Sequence, residues 1–425
     1  MAAVPVKRPK ILPSISDADP DKPTNQRFSP GPDGNTYVDL TFRSEPLGMS
    51  AENGFGFPKF EFGEKLGRDK RYTIARKLGW GMHSSTWLAR DTADGKYVAV
   101  KALTGYMTDL SRKKAVWEAE ALERLSAPPV SPHCVRLLDQ FAIPGLGSAG
   151  EHLCFVMPVY GGDALAQFLA NQQTPFALPL VKHILLHILR GLAHAHSHKI
   201  VHTDLKIDQF FSETTLTTED IDKCVENDPP RRHPPEMSED GIVRVAASQP
   251  LPMISNEEAL KATYVLGDFG CAANAEFRQD HPITSPTLRP PEVFLSGPWG
   301  IEADIWAFGC LVFEMITGKS LFKHEPNAEL GLDDTEHMLY QMIVYSGEDF
   351  PRDLLDQLPT ADRYFNSECN LKSNPTIPET IIEFLFENHK VMSPLDNAKT
   401  ANFMRRCLSL PPNARATAAE LLEDP

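Results

Sequence analysis

Between Leu180 and Leu192 apolar residues recur every three or four positions, at Leu180, Ile184, Leu185, Ile188, Leu189 and Leu192. That period predicts an amphipathic helix, and it runs directly toward the polar octapeptide His202-Thr203-Asp204-Leu205-Lys206-Ile207-Asp208-Gln209. Earlier in the chain the pattern is different. Tyr72–Leu78 and Lys96–Val100 are short, rich in β-branched residues and bounded by Gly, which predicts strands, and a further strand pair ends in Leu153–Met157. Residues 111–125 predict a helix, with Ser111 as N-cap and Val116, Ala119, Leu122 and Leu125 on one face. Helical periodicity returns at 301 and continues to the end, interrupted by a loop-rich region between roughly 323 and 375.

Two segments carry no sustained period. The first 45 residues are rich in Pro, Ser and Asp, and residues 1–71 are expected to be an extension that is largely disordered or loosely packed, with order starting at Tyr72. Residues 212–262, which contain Pro229-Pro230-Arg231-Arg232-His233-Pro234-Pro235, read as a polar, partly disordered insert between two strands.

Composition narrows the function classes. The 425 residues are 42% apolar, enough for substantial cores, and the formal charge of -15 argues against nucleic acid as a direct ligand. A basic protein would be drawn to such a surface, although solubility alone would also account for the charge. Seven Cys without C-x-x-C pairs predict reduced thiols in the cytoplasm or nucleus. Lys7-Arg8-Pro9-Lys10 reads as a nuclear address or as an ordinary charged tail. The start of the chain lacks the apolar stretch of a signal peptide, and no run of about 18 apolar residues predicts a membrane span. A monomer is expected.

The candidate chemistry lies in order along the chain. Leu78-Gly79-Trp80-Gly81-Met82-His83-Ser84 sits between two predicted strands, where glycines let backbone N–H groups approach phosphate oxygens. A Gly pair alone marks any hairpin, and a dinucleotide-binding reading fails because a strand follows instead of a helix. Val98-Ala99-Val100-Lys101 ends the next strand, and a Lys there is ordinarily a surface charge. Gly267-Asp268-Phe269-Gly270 follows a strand, and Leu288-Arg289-Pro290-Pro291-Glu292 comes about 20 residues later. The acid Glu292 needs a buried partner, and Arg415 is the candidate; Asp304 begins an apolar helix. His183 and His187 are four apart on the predicted helix, a metal-site spacing, but no added carboxylate ligand accompanies them.

Taken together and in this order, these elements resemble the eukaryotic protein kinase superfamily from about residue 72 to 425. Within it the chain is most similar to the SR-protein kinases, through Leu78-Gly79-Trp80-Gly81, His202-Thr203-Asp204, the insert before Asp268, Ala303-Asp304-Ile305-Trp306, Glu336-His337-Met338 and Arg415-Ala416-Thr417-Ala418-Ala419-Glu420-Leu421-Leu422. The resemblance implies an α+β, two-lobed kinase fold. Residues 72–161 would form a small, mainly antiparallel β lobe with one key helix, and 162–425 a large, mainly helical lobe carrying the insert.

It also implies roles. Asp204 would accept the proton of the substrate hydroxyl, and Lys206 would steady the transferring phosphoryl group. Lys101 would hold the α- and β-phosphates of ATP and be held by Glu118, which the helical spacing favours over Glu120. Leu78, Gly79, Trp80, Gly81, Met82, Ser84, Thr86 and Ala99 would border the nucleotide. Adenine would meet the backbone after Met157, at the Pro158 carbonyl and the Tyr160 N–H. Asp268 and Gln209 would bind Mg²⁺, with Mn²⁺ as a more forgiving substitute.

The expected activity is therefore transfer of the ATP γ-phosphate to Ser or Thr in a protein, with Arg/Ser-rich or otherwise basic substrates implied. Thr203 replaces the usual Arg, which predicts activity without activation-loop phosphorylation. The departures are Gln209 for Asn, Ser84 for the third glycine and Thr86 for Val. In the acidic docking groove of the family one position falls on Glu336 and the next on Ile343. Gln209 and Ser84 make the case for the alternative, a pseudokinase or nucleotide-binding scaffold. A small-molecule kinase is disfavoured by the Pro290-Pro291-Glu292 element.

Overall fold

The computed structural model describes residues 10–15, 27–30, 36–170, 177–277, 281–378, 386 and 392–424. The chain divides into two compact units: Met1–Val116, Arg136–Val159 and Thr215–Pro252 form the first; Trp117–Val135, Tyr160–Thr214 and Met253–Pro425 the second.

The first unit is built on an antiparallel sheet of six strands. These are β4 (Lys65–Leu66), β5 (Tyr72–Gly81), β6 (Ser84–Asp91), β7 (Tyr97–Leu103), β8 (Asp139–Pro144) and β9 (Glu151–Pro158), in the spatial order β4-β5-β6-β7-β9-β8. Its core gathers Phe60, Tyr72, Ile74, Trp87, Phe141 and Val156. Strand alternation sends Val98, Val100 and Ala102 of β7 into this core and leaves Ala99 and Lys101 on the other face.

The extension is more ordered than its composition suggests. Strands β1 (Lys10–Ile15), β2 (Arg27–Pro30) and β3 (Thr36–Phe42) form a sheet of order β1-β3-β2, and Leu40, Phe42 and Met49 are buried together. Loose packing therefore does not describe residues 40–71, where Leu47, Phe57 and Phe60 are also buried. Residues 1–9, 16–26 and 31–35 lie outside the described residues.

The insert also departs from expectation: it is folded, and most of it belongs to the first unit. Helix α5 (Thr218–Asn227) starts in a capping box between Thr217 and Asp220. It docks by burying Ile221 with Leu88 and Leu251, while Asp222 accepts from Arg90 Nη1 at 2.6 Å and from the Tyr97 hydroxyl at 2.7 Å. A hairpin of β13 (Glu236–Ser238) and β14 (Gly241–Val243) follows.

The helix expected over 111–125 is two helices, α1 (Gly105–Arg112) and α2 (Glu118–Leu125). Thr104, not Ser111, caps the first, its side chain accepting from Met107 N–H. Lys114 adopts a left-handed φ of 56°, which ends one helix and turns the chain before the next.

In the second unit, strand β10 (Tyr160–Asp163) pairs with β12 (Phe210–Glu213), which pairs with β15 (Tyr264–Leu266); β11 (Ile200–Val201) pairs with β16 (Ala273–Asn274). Helix α3 (Ala164–Ala170) precedes α4 (Leu178–Ser197), whose six predicted stripe residues are all buried. At Gly191 a Cβ would meet the His133 carbonyl oxygen at 2.4 Å, so only Gly permits that approach. The helix Glu302–Thr317 is buried almost all round, which explains its largely apolar sequence, with Glu302, Asp304 and Glu314 as the acidic exceptions. Among the described residues no helix is long and apolar enough to cross a membrane.

The histidines of α4 serve as struts. His183 Nε2 donates to the Ala262 carbonyl at 2.7 Å, His187 Nδ1 accepts from Tyr264 N–H at 3.1 Å, and His194 Nε2 donates to the Leu125 carbonyl at 3.3 Å. Burial pushes His187 down to about 4, helped by the charges of neighbouring His133 and His183. These backbone partners give His183, His187 and His194 a structural role.

Candidate active site

Residues proposed for the nucleotide lie on facing strands of the first unit. Across the sheet Gly79 pairs with Thr86, and Thr86 with Lys101; Gly81 pairs with Ser84, and Ala99 with Met157. Glycine hairpin and lysine are thus tied by register, because β5, β6 and β7 are consecutive antiparallel neighbours. Leu78, Gly79, Trp80 and Thr86 are half-buried, and Met82 at the hairpin tip is exposed. Burial lowers the pKa of His83, and the positive charge of Lys101 adds to the effect. Pro158 ends β9.

Tyr160, at the start of β10, and Glu118, the first residue of α2, belong to the second unit. Glu118 is buried and Glu120 only half-buried, as the helical spacing predicted. Helix α2 packs against the turn beginning at Phe269.

The residues of the octapeptide 202–209 are held in the second unit by a network of hydrogen bonds. Asp304, fully buried, accepts from the backbone N–H groups of His202 at 2.7 Å and Thr203 at 2.9 Å, and from His196 Nε2 at 3.0 Å. A buried carboxylate satisfied this way fixes the loop's path. His202 Nε2 donates to the Gly267 carbonyl at 2.9 Å and its ring meets Phe269 edge-on, 4.8 Å between centroids. The loop is thereby coupled to Gly267-Asp268-Phe269-Gly270.

Asp204 and Lys206 form an ion pair at 3.0 Å. Burial alone would lower the Lys206 ammonium, but the hydrogen bond to Asp204 and the charges of Asp204, Asp208 and Asp268 outweigh it and hold its pKa above the ordinary value. Gln209 is buried; its Nε2 donates to Asp204 Oδ2 at 3.2 Å, while its Oε1 has no hydrogen-bond partner among the described residues. An orphaned, buried amide oxygen beside carboxylates suits a hard cation, so the donor set fits Mg²⁺ despite the extra methylene. Asp268 sits in the left-handed region at φ 52°, ψ 69°, a strained conformation for a non-glycine residue.

Behind these residues, Glu292 and Arg415 form the anticipated buried pair, two parallel N–H···O bonds of 2.7 Å. Parts of the stretch between Asp268 and Glu292 are held by bonds to backbone carbonyls. Thr203 Oγ1 donates to the Cys271 carbonyl at 2.7 Å, and Thr203 O accepts from Thr284 N–H at 3.1 Å. Arg289 donates to the carbonyls of Ile283 at 3.0 Å and Thr284 at 2.9 Å.

One feature escaped the sequence reading. A pocket of about 200 Å³ is lined by Lys206, Asp208, Ser285, Thr287, Leu311 and Glu314, among others. Asp208 is exposed at its rim, yet its carboxyl is crowded enough for burial to raise its pKa, with repulsion from Asp163 and Asp204 adding to it and Lys206 opposing. Burial likewise raises Glu314, and Asp208 adds to the shift. The signal was present: Glu314 is an isolated acid in the otherwise apolar stretch Phe308–Ile316.

The family model for the protein kinase domain matches residues 72–222 and 253–425, passing over 223–252, most of the inserted stretch that belongs to the first unit. A serine/threonine-protein kinase SRPK of Physarum polycephalum is 30% identical over 90% of this chain and 92% of its own. The serine/threonine-protein kinase AFC2 of Arabidopsis thaliana is 26% identical over 86% of this chain and 78% of its own. Protein kinase dsk1 of Schizosaccharomyces pombe is 24% identical over 76% and 74%. The chain belongs to the protein kinase family, and within it resembles the SR-protein kinases. Its activity is that of a serine/threonine protein kinase, and the scaffold alternative finds no support among these relatives.

Proposed function

We propose that this kinase uses ATP with Mg²⁺, that Asp204 is its catalytic base, and that it selects acceptor hydroxyls flanked by a basic side chain. The Asp204–Lys206 pair carries the reading: it sets a proton acceptor beside a fixed positive charge. Lys206, held protonated by its acidic neighbours, would neutralise charge on the phosphoryl group, and Asp204 would orient the acceptor hydroxyl and take its proton. Asp268 and Gln209 Oε1 would hold the divalent cation, which supplies charge neutralisation at the phosphates. Lys101 and the Gly79–Ser84 hairpin would position the triphosphate.

Substrate choice follows from the pocket. Asp208 and Glu314 give it two carboxylates that repel each other, and a guanidinium inserted there would relieve the repulsion in charge-assisted hydrogen bonds. Arg/Ser-rich proteins are one class that would satisfy it. On arrayed serine peptides, the wild type is expected to prefer those with Arg near the acceptor, and Asp208→Asn/Glu314→Gln to lose that preference while still phosphorylating Arg-free peptides. Equal preference in both proteins would remove the pocket from substrate recognition.

A second test addresses the cation. Gln is one methylene longer than Asn, and Mg²⁺ tolerates little departure from octahedral geometry. Gln209→Asn is expected to lower the Mg²⁺ concentration giving half-maximal rate, and to tighten Mg²⁺-dependent binding of a non-hydrolysable ATP analogue without changing metal-free binding. Superimposable titrations would mean that the buried loop already accommodates the longer side chain.

A further inference from the structure

The glycine hairpin has two faces. Gly79 and Gly81 look into open space, with nothing among the described residues within 4 Å of an added Cβ, whereas Trp80 between them points the other way. Its ring meets Phe57 edge-on at 6.1 Å, in a cluster with Leu47 of the extension and Val243 and Val245 of the insert. Three residues upstream on the same strand, Lys77 is fully buried. Its ammonium pairs with Glu45, donates to Ser44 Oγ at 3.0 Å and to the Ala246 carbonyl at 3.2 Å, and lies 5.8 Å from the Trp80 ring. The Lys77 carbonyl in turn accepts from Gln249 N–H at 2.9 Å. Two segments almost 200 positions apart, the extension and the insert, therefore close on the back of one strand.

Burying two charges costs several kcal/mol per ion, and an apolar pair of similar volume is often as stable. What an ion pair adds is fixed geometry, and the strand it fixes leads straight into the hairpin. We propose that Glu45 and the Phe57–Val243 pocket are positioning elements of the nucleotide site: by holding Lys77 and Trp80 they keep the Gly79–Ser84 hairpin in the shape that receives a triphosphate. This inference rests on the assignment of that hairpin to nucleotide binding. It gives the extension and the insert a role in ATP affinity, with neither touching the nucleotide.

The test uses the full chain and the variants Glu45→Gln and Val243→Ala. Affinity for a non-hydrolysable ATP analogue with Mg²⁺, KM for ATP, kcat, KM for a peptide and hydrogen exchange across residues 78–84 are measured, with Tm as a control. Each variant is expected to weaken analogue binding and raise KM for ATP about fivefold, with kcat and the peptide KM within about twofold, the pattern of lost ground-state binding. Exchange in 78–84 should quicken, and Glu45→Asp should recover part of the loss. If Glu45→Gln does not fold, Val243→Ala decides, since it removes only two methyl groups. A lowered Tm with unchanged analogue affinity and unchanged exchange would overturn the proposal and leave the contacts purely structural. Failure of the wild type itself to bind the analogue would instead overturn the nucleotide assignment on which it rests.

Discussion

Replacing Lys101 by Met should cut phosphotransfer by roughly 100- to 1,000-fold, the usual loss when one fixed electrostatic partner of a transition state is removed. The side chain projects from the face of β7 opposite the core, so its aliphatic part contributes little to core volume. Met keeps most of that length and loses only the charge. Stability should therefore stay within about 0.5 kcal/mol of wild type. Steady-state kinetics alongside a denaturant titration separates the two quantities. Unchanged turnover would remove Lys101 from the site; equal losses of turnover and stability would make it structural.

The largest effect on stability is expected at Arg415. Its guanidinium is fully buried, pairs with Glu292 through both Nη atoms, and also donates to the carbonyls of Ser409 at 2.9 Å, Glu302 at 3.1 Å and Leu410 at 3.3 Å. Arg415→Met would leave a buried carboxylate and three carbonyls without this donor, at a cost of about 3–5 kcal/mol. Adding Glu292→Leu should recover part of the loss by removing the stranded charge, though not the part owed to the carbonyls. Urea midpoints for the wild type, both single variants and the double variant give the coupling directly. A cost below about 1 kcal/mol for Arg415→Met would mean that water reaches Glu292 and that the pair is not the anchor its geometry indicates.

Much of the site was legible because its parts are short and their partners local in kind. The octapeptide 202–209, Gly267-Asp268-Phe269-Gly270 and Leu288-Arg289-Pro290-Pro291-Glu292 each announce their chemistry within a few residues, and the stripe of α4 was readable from its period alone. What escaped depends on contacts between distant segments. Leu40, Phe42, Leu47 and Phe57 are sparse apolar residues in a Pro- and Gly-rich context, and only the partners supplied by residues 233–249 and their own neighbours reveal them as core. The insert read as polar because α5 fully buries only Ile221, with Cys224 and Val225 half-buried beside it, and its other residues are mostly polar. The break at Lys114 was invisible to periodicity, since Ser111 is a plausible cap and Thr104 wins only once the chain path is known. The pocket of Asp208 and Glu314 needed the third dimension: the two acids are more than 100 positions apart.

The most direct test of the account is phosphotransfer by protein made in bacteria and treated with phosphatase, supplied with ATP, Mg²⁺ and a serine peptide carrying Arg, with Asp204→Asn as the comparison. The bonds from Thr203 to Cys271 and from Arg289 to Ile283 and Thr284 hold these residues through backbone carbonyls, and Thr203 offers no cation to a loop phosphate. Wild-type protein is therefore expected to phosphorylate serine at the same rate before and after phosphatase treatment, and Asp204→Asn to lose roughly 100- to 10,000-fold. Absence of transfer by the dephosphorylated wild type, or equal transfer by Asp204→Asn, would contradict the account.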